Sequence, residues 1–464
     1  LTKARVVGAS DNSSVSEAFK APAVWAPPLI VVAILVFVMT LVYLGSVVDP
    51  AGHLHGLPVG IVNDDSGATV NGDRVDLGQS VAGELERSPA LTRRLALHPG
   101  DLVAVEHQMN LAREYAAVVI PAGFSVSLLA INSPTAVRGE SLSGRTIEVL
   151  TNPRAGTLGV SLATGVLAPA LTDVSAAIGR QLRATSRGRL SGAVDELISD
   201  PVKLTQIAYR PLPRHTALGL SAFYLALLTT FCGFLGASVV HVAIDSVLGY
   251  ATTEIGPRWH LRQPVPITRW RTLLAKWAVV LPLTVILTGL MLLAARWILH
   301  MATPHLGELW LLTWFAAAVV AIGTLVLFAA LGTLGQLIAL LIFIYLALAS
   351  SGGTVPLQAL PGSLRILAEF EPLRQIIGGT RSILYFDARA AAGLTRAFVL
   401  TAIGLVFWTA LGAAVTNWYD RKGFHRVTPA LLDYIDHAVR GYREQTTPPT
   451  NQAQSSTDKP GHDG

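Results

Sequence analysis

The chain has 464 residues, of which 51% are hydrophobic and only 14% charged, where an ordinary soluble domain has about 25% charged; its mean hydropathy is +0.50. That composition excludes the disordered, collagen-like and disulfide-rich classes and points to a membrane protein. The net charge of +5 would suit nucleic acid, but basic residues gathered on the inner side of a membrane account for it without a nucleic-acid partner.

A spanning helix needs about 20 apolar residues. After a short segment at 1–28, expected to be cytoplasmic, the first such run is 29–48, LIVVAILVFVMTLVYLGSVV, opened by Pro27 and Pro28. It ends in SVVDP rather than at a small-residue cleavage site, so it reads as an uncleaved anchor. The segment 49–213 has soluble character. Strands are expected at 57–65, 102–108, 115–121 and 145–152, with a helix through Phe124 and Leu128. From 157 to 209 the pattern is helical, interrupted near Gly188, Gly192 and Pro201. Alternating strands and helices predict a small α/β domain with a partly parallel sheet.

Uncharged stretches at 216–240, 277–295, 309–331, 337–350 and 397–416 bring the expected spans to six, the fifth being short. The single cysteine, Cys232, lies in the second and has no partner in its own chain, so neither disulfides nor a Cys-ligated metal hold the fold. The 242–276 loop carries Arg258, Arg262, Arg269, Arg271 and Lys276, while the 300–308 loop has no Lys or Arg. The first of these loops is therefore expected inside, together with both termini, and 49–213 outside. The expected fold is a polytopic α-helical membrane protein with six spans and cytoplasmic termini, carrying a small α/β extracytoplasmic domain between spans one and two. Its five-span membrane domain occupies 214–417.

The 351–395 segment resists the charge rule. It should be external, yet it holds Arg365, Arg374, Arg381 and Arg389 and is broken by Gly352, Gly353, Pro356, Pro361 and Pro372. Either a hairpin re-enters the outer leaflet packed against protein, or an amphipathic helix lies on the outer surface. The cytoplasmic tail is 418–464; VTPALLDYIDHAVRGYRE at 427–444 suits a surface helix, and the polar residues from about 445 suit disorder.

Chemical motifs are scarce. None of the six lysines precedes Ser or Thr, so there is no P-loop, and GxSxG, HExxH and paired-Cys motifs are absent. Asp64, Asp65 and Asp73 read as polar turn residues far more readily than as a cation site, and His53 with His55 makes a weak metal signal. The chain is expected not to be an enzyme, and no catalytic, cofactor-binding or metal-binding residue is assigned. The centres of the six spans carry no Asp, Glu, Lys, Arg or His, which disfavours an ion-coupled transporter, and His241, Lys276 and Arg296 at span ends suit snorkelling. Any transport would draw its energy from a separate subunit.

The run LPVGIVNDDSGATVNGDRVDLGQSVAGEL at 57–85 resembles the start of the external domain in YhgE/Pip proteins, with its V-N-x-D-x-G turn at Asn63, Asp65 and Gly67. YAAVVIPAGFS at 115–125 resembles the same family's Y-A-A-x-x-I-P-x-x-F-S segment, matched at Pro121, Phe124 and Ser125. The region 350–385 also resembles type-2 ABC exporter permeases, whose P-x-x-x-x-x-x-G-x-R element is matched by Pro372, Gly379 and Arg381.

The resemblance implies a bacterial plasma-membrane protein working as a homodimer. It also implies a cytoplasmic ATPase docked on the loop from Ile244 to Arg271, with the lipid bilayer as the other partner. The implied function is a permease-like subunit exporting a lipid, an envelope component or a hydrophobic compound. The alternative is a non-transporting surface receptor, as in phage-infection proteins, or a scaffold of type VII secretion.

Overall fold

The computed structural model describes residues 22–70, 72–132, 143–185, 192–255, 258–260, 262–424 and 426, with 433, 437 and 440. The expectations for 1–21 and for the tail from 445 lie outside the described residues, and so does the 427–444 helix except at 433, 437 and 440, which are helical. Within them the chain is mostly helical, with a small α/β region near its N-terminus.

Helix α1 (Pro22–Val47) begins one turn and more before the expected start, so Pro27 and Pro28 lie inside it. Its surface is apolar on every side, and only 6% of its apolar window is buried. Such all-round apolarity needs lipid or another helix as a neighbour.

The α/β region follows. Strands β1 (Leu57–Asn63), β4 (Leu95–Gly100), β5 (Ala116–Ile120), β6 (Thr146–Thr151) and β7 (Lys203–Ala208) form one sheet in the order β4-β1-β5-β6-β7. β1 runs parallel to both β4 and β5, β6 is antiparallel to β5, and β7 is parallel to β6. A small hairpin, β2 (Ala68–Val70) with β3 (Asp73–Val75), lies after β1. The helices are α2 (Leu77–Arg87), α3 (Leu102–Asn110), α4 (Phe124–Leu129), α5 (Thr157–Thr185) and α6 (Gly192–Ser199).

Central strands buried on both faces read as continuous apolar runs, which is why AAVVI and LPVGIV were legible as strands. One face packs Leu57, Val59, Ile61, Val118 and Ile120 against α2 and α5. The other packs Val62, Ala117 and Val119 against Val105 and Met109 of α3.

The expected strand at 102–108 is instead α3. Asp101 caps it by accepting the Ala104 N–H at 2.6 Å, and its buried residues Val105 and Met109 are one helical turn apart. The edge strands β4 and β7 were not expected. Both are half-exposed and carry polar residues or Pro99, which hides the alternation.

The membrane half comprises α7 (Ser221–Val247), α8 (Arg269–Leu293), α9 (Leu306–Leu331), α10 (Thr333–Leu340) and α13 (Leu394–Arg421). α8 is prolonged by a π-helical turn at Ala294–Ile298, and α10 reaches Ser350 through another at Leu341–Leu346. α9 is the central helix, with 72% of its apolar window buried, and it packs on α7, α8, α10 and α13. Its approach to α7 depends on Gly233: a Cβ there would overlap the Ala317 carbonyl oxygen and lie 2.9 Å from Val320 Cβ.

Between α10 and α13 the Gly/Pro-broken segment folds as two helices, α11 (Gly362–Phe370) and α12 (Pro372–Tyr385). α12 is packed among α7, α9 and α13, while α11 turns Ile366 and Phe370 outward.

Among the described residues seven helices, one more than expected, are long and apolar enough to cross a membrane. The extra one is α5, spanning Thr157–Ala184 in that count. Its residues Ala163, Leu167, Leu171, Val174, Ile178 and Leu182 recur at helical spacing and are buried in the α/β core, so packing assigns α5 to that domain.

Candidate functional site

The two sequence motifs of the α/β domain meet at the C-terminal ends of β1 and β5, which are neighbours in the sheet. Asp65, in the turn after β1, accepts the Ser125 backbone N–H at 3.1 Å and the Gly78 N–H at 3.2 Å, and it takes a short bond from the Ser125 hydroxyl. Ser125 Oγ in turn accepts the Leu77 N–H at 2.8 Å, and Asn63 Oδ1 accepts the Asp65 N–H at 3.2 Å. Phe124 is fully buried beneath them. Gly67 has a left-handed φ of 77° at the hairpin, and Pro121 closes β5.

This is the crevice where open α/β sheets hold ligands, at the starts of α2 and α4. Here the amide donors that a phosphate would use are already taken by the protein's own carboxylate. The motif is thus an internal clamp joining two loops. Asp64 and Asp73 are not part of it. Among the described residues, no group of three or more His, Cys, Asp or Glu side chains could hold a metal ion; His53 and His55 instead lie near the backbone carbonyls of Asp49 and Arg93.

At the opposite face of β1, Glu114 is buried with one carboxylate oxygen lacking a hydrogen-bond partner among the described residues, and its other oxygen is 3.4 Å from His98 Nδ1. Burial raises its pKa to about 7.

A second constellation lies where the α/β domain meets the membrane half. The domain core continues through Val355, Ala359 and Leu360, in the loop that opens the α11–α12 hairpin. His55 N–H donates to the Gln358 carbonyl at 2.9 Å, and Arg154 donates to the carbonyls of Tyr385 at 2.9 Å and Pro211 at 3.1 and 3.2 Å. Arg381, on α12, borders a cavity of about 20 Å³ at this seam together with Tyr115, Gly156, Gly219, Gly352 and Gly353. Its Nε is buried and has no hydrogen-bond partner among the described residues. The cavity is the size of one or two waters. Burial raises the Tyr115 phenol pKa, with Arg381 and Arg374 drawing it back.

The remaining hairpin residues shape the backbone. A Cβ on Gly353 would overlap the Phe223 ring, and one on Gly379 would lie 2.7 Å from Ala397 Cβ. Pro356 precedes a short 3₁₀ turn, Pro361 precedes α11, and Pro372 is the first residue of α12. Glu371 caps α12 by accepting the N–H groups of Leu373 and Arg374 at 2.9 and 2.8 Å. Arg374, one of the four unexpected arginines, pairs with Glu369 at 2.8 Å.

The expected docking loop is shorter than 242–276, because α7 runs on to Val247 and α8 begins at Arg269. Arg258 falls in a small β-hairpin, Arg262 and Arg271 are exposed, and Arg269 donates to the Phe424 carbonyl at 2.6 Å. His241 and Lys276 do not snorkel. Lys276 Nζ lies 2.7 Å from Asp245 Oδ1 and 2.9 Å from His241 Nδ1, and Arg426 grips both oxygens of Asp245 at 2.7 and 2.8 Å. Asp245 escaped sequence reasoning because the apolar run stops at His241. Its position four residues later, on the same helical face, was the available signal.

A family model described as "Protein of unknown function (DUF3533)" matches residues 28–409. No curated protein and no solved structure matches the chain.

Proposed function

The chain belongs to the DUF3533 family of proteins of unknown function, and from that premise we propose that it is a permease-like membrane subunit of an export system, with YhgE/Pip proteins as its wider kin. Its cargo would be a lipid, a cell-envelope component or another hydrophobic compound. In this reading α1, α7, α8, α9, α10 and α13 are the six spans of a multi-pass protein of the bacterial plasma membrane. Both termini are cytoplasmic, the α/β domain is extracytoplasmic, and two copies pair.

The observation that carries the proposal is the seam. The core of the α/β domain runs without a break onto the loop at 355–360, and the helix that follows, α12, is wedged among α7, α9 and α13. A rearrangement of the bundle is thereby passed to the outer domain through packed side chains rather than through a slack linker. The uncharged centres of the spans disfavour coupling to an ion held by an intramembrane carboxylate, so in this reading energy is borrowed from a cytoplasmic ATPase at the 248–268 loop.

One observation favours a second reading, a surface receptor or secretion scaffold. The α/β domain carries an open cleft of about 870 Å³ between α2 and α5, bordered by Arg87, Arg93, Arg94, Glu84 and Asp173, far larger than the seam cavity.

Cross-linking from Arg262 and Arg271 in cells, with mass spectrometry of the captured protein, tests the first reading. A Walker-motif ATPase is expected, together with altered envelope lipids or altered tolerance to hydrophobic compounds in a deletion strain. Capture of no ATPase and an unchanged envelope would overturn it in favour of the second.

A further inference from the structure

At the bundle end that carries the 248–268 loop, a cavity of about 60 Å³ is bordered by His241, Arg269, Thr272, Lys276, Phe328 and Arg426. Three of these side chains are cations. A single carboxylate, Asp245, serves two of them, Lys276 and Arg426. The third, Arg269, has no ion pair among the described residues; its guanidinium covers the Tyr419 ring at 5.1 Å while Nε binds the Phe424 carbonyl. Asp420 has its two oxygens engaged by the backbone N–H groups of Arg269 and Trp270, at 2.9 and 3.1 Å.

Among the described residues the cavity therefore sets three cations against two carboxylates. The positive end of the α8 dipole adds to the surplus, because Arg269 is the first residue of that helix. Lys276 is only 5% exposed, and a buried charge is costly unless the surrounding charges balance it. His241 does not balance it, since its Nδ1 faces the Lys276 ammonium at hydrogen-bond distance. A void needs about 10–15 Å³ to hold one water, so this one has room for several waters or for one tetrahedral oxyanion.

We propose that this cavity is an oxyanion site for a phosphate group, supplied either as the headgroup of an anionic lipid or as free phosphate. Arg269 offers a guanidinium with no ion pair among the described residues, Lys276 supplies charge at depth and Arg426 at the part-exposed edge, and the phosphate completes the neutralisation that Asp245 leaves unfinished. The site is independent of the export reading. It occupies the end of the bundle remote from the Arg381 seam.

The test uses the full chain in nanodiscs of phosphatidylcholine, titrated with inorganic phosphate against chloride at equal ionic strength. A parallel set of nanodiscs contains phosphatidylglycerol. Thermal unfolding is read for wild type, for Arg269→Gln, which keeps the backbone N–H used by Asp420, for Lys276→Met, and for Arg113→Gln in the α/β domain. A rise of several degrees with phosphate identifies a free-oxyanion site; a rise only with phosphatidylglycerol identifies a headgroup site. In either case the rise is expected to fall by half or more in Arg269→Gln and in Lys276→Met, and to persist in Arg113→Gln. No rise with either ligand overturns the proposal, and so does a rise that both cavity variants retain in full.

Discussion

Arg154 donates from Nη1 to the main-chain carbonyl of Tyr385 at 2.9 Å, across 231 positions of sequence. The same guanidinium holds the Pro211 carbonyl through Nε and Nη2, so one side chain fastens the exit of β6, the approach to α7 and the end of α12. Hydrogen bonds to charged groups contribute about 1.5–3 kcal/mol each at most, and these three share one partner. Arg154→Ala is expected to speed amide hydrogen exchange at 211–220 and 385–389 while leaving β1 and β5 protected. Equal loss of protection in the sheet would mean that Arg154 supports the domain rather than the seam.

Asp65→Ala removes an acceptor from two backbone donors and from the Ser125 hydroxyl, all buried, and is expected to cost about 3 kcal/mol. Ser125→Ala should cost less, about 1–2 kcal/mol, because Asp65 keeps both amides. The double variant should cost less than the sum, since both residues belong to one network. Exchange protection of the β1 and β5 amides measures all three.

Glu114 predicts a pH dependence. Its folded-state pKa of about 7 lies above the ordinary 4.5, so stability is fully present below about pH 4.5 and is lost as pH rises through 7. Glu114→Gln should therefore stabilise the α/β domain at pH 8, change it little at pH 4, and flatten the profile between. Protease resistance of the domain against temperature, at several pH values, gives the comparison.

Gly233→Val drives a side chain into the Ala317 carbonyl, and separating α7 from α9 is expected to cost about 2–4 kcal/mol and to lower the yield of monodisperse protein. Gly378→Ala is the matched control. Nothing lies within 4 Å of a Cβ there, and alanine gains up to about 1 kcal/mol of helix propensity over glycine.

Asp245→Asn leaves Lys276 and Arg426 without their shared counter-charge, and breaking a buried pair from one side costs about 3–5 kcal/mol. Melting of the detergent-solubilised chain should fall markedly. The double variant Asp245→Asn with Lys276→Met should recover part of the loss.

Long features were legible in the sequence and relational ones were not. The apolar runs announced the membrane half because both lipid-facing and core-facing positions there are predominantly apolar, leaving no charged residue at the span centres to blur the signal. The LVAVE run misled because its apolar residues also fit a strand; Asp101, as a cap, was the deciding residue. Edge strands β4 and β7 lack a second buried face and so lack the pattern that marked β1 and β5. Asn63, Asp65, Phe124 and Ser125 stood out as motif residues. Their meeting could not be read, because it depends on β1 and β5 lying side by side. The Asp245 cluster joins α7, α8 and the chain beyond α13, and no local pattern encodes such a convergence.

The burial of α5 against the sheet bears on how the protein is made. By length and apolarity α5 could be threaded into a bilayer as it leaves the ribosome, and in the proposed topology every later span would then be inverted. The order of synthesis guards against this. β1, β4, β5 and β6 all precede α5, so the surface that claims its apolar stripe exists before the stripe does. In the proposed topology a variant that weakens those strands would therefore be read out as the wrong orientation of the spans after residue 213, a fault of topogenesis rather than of stability.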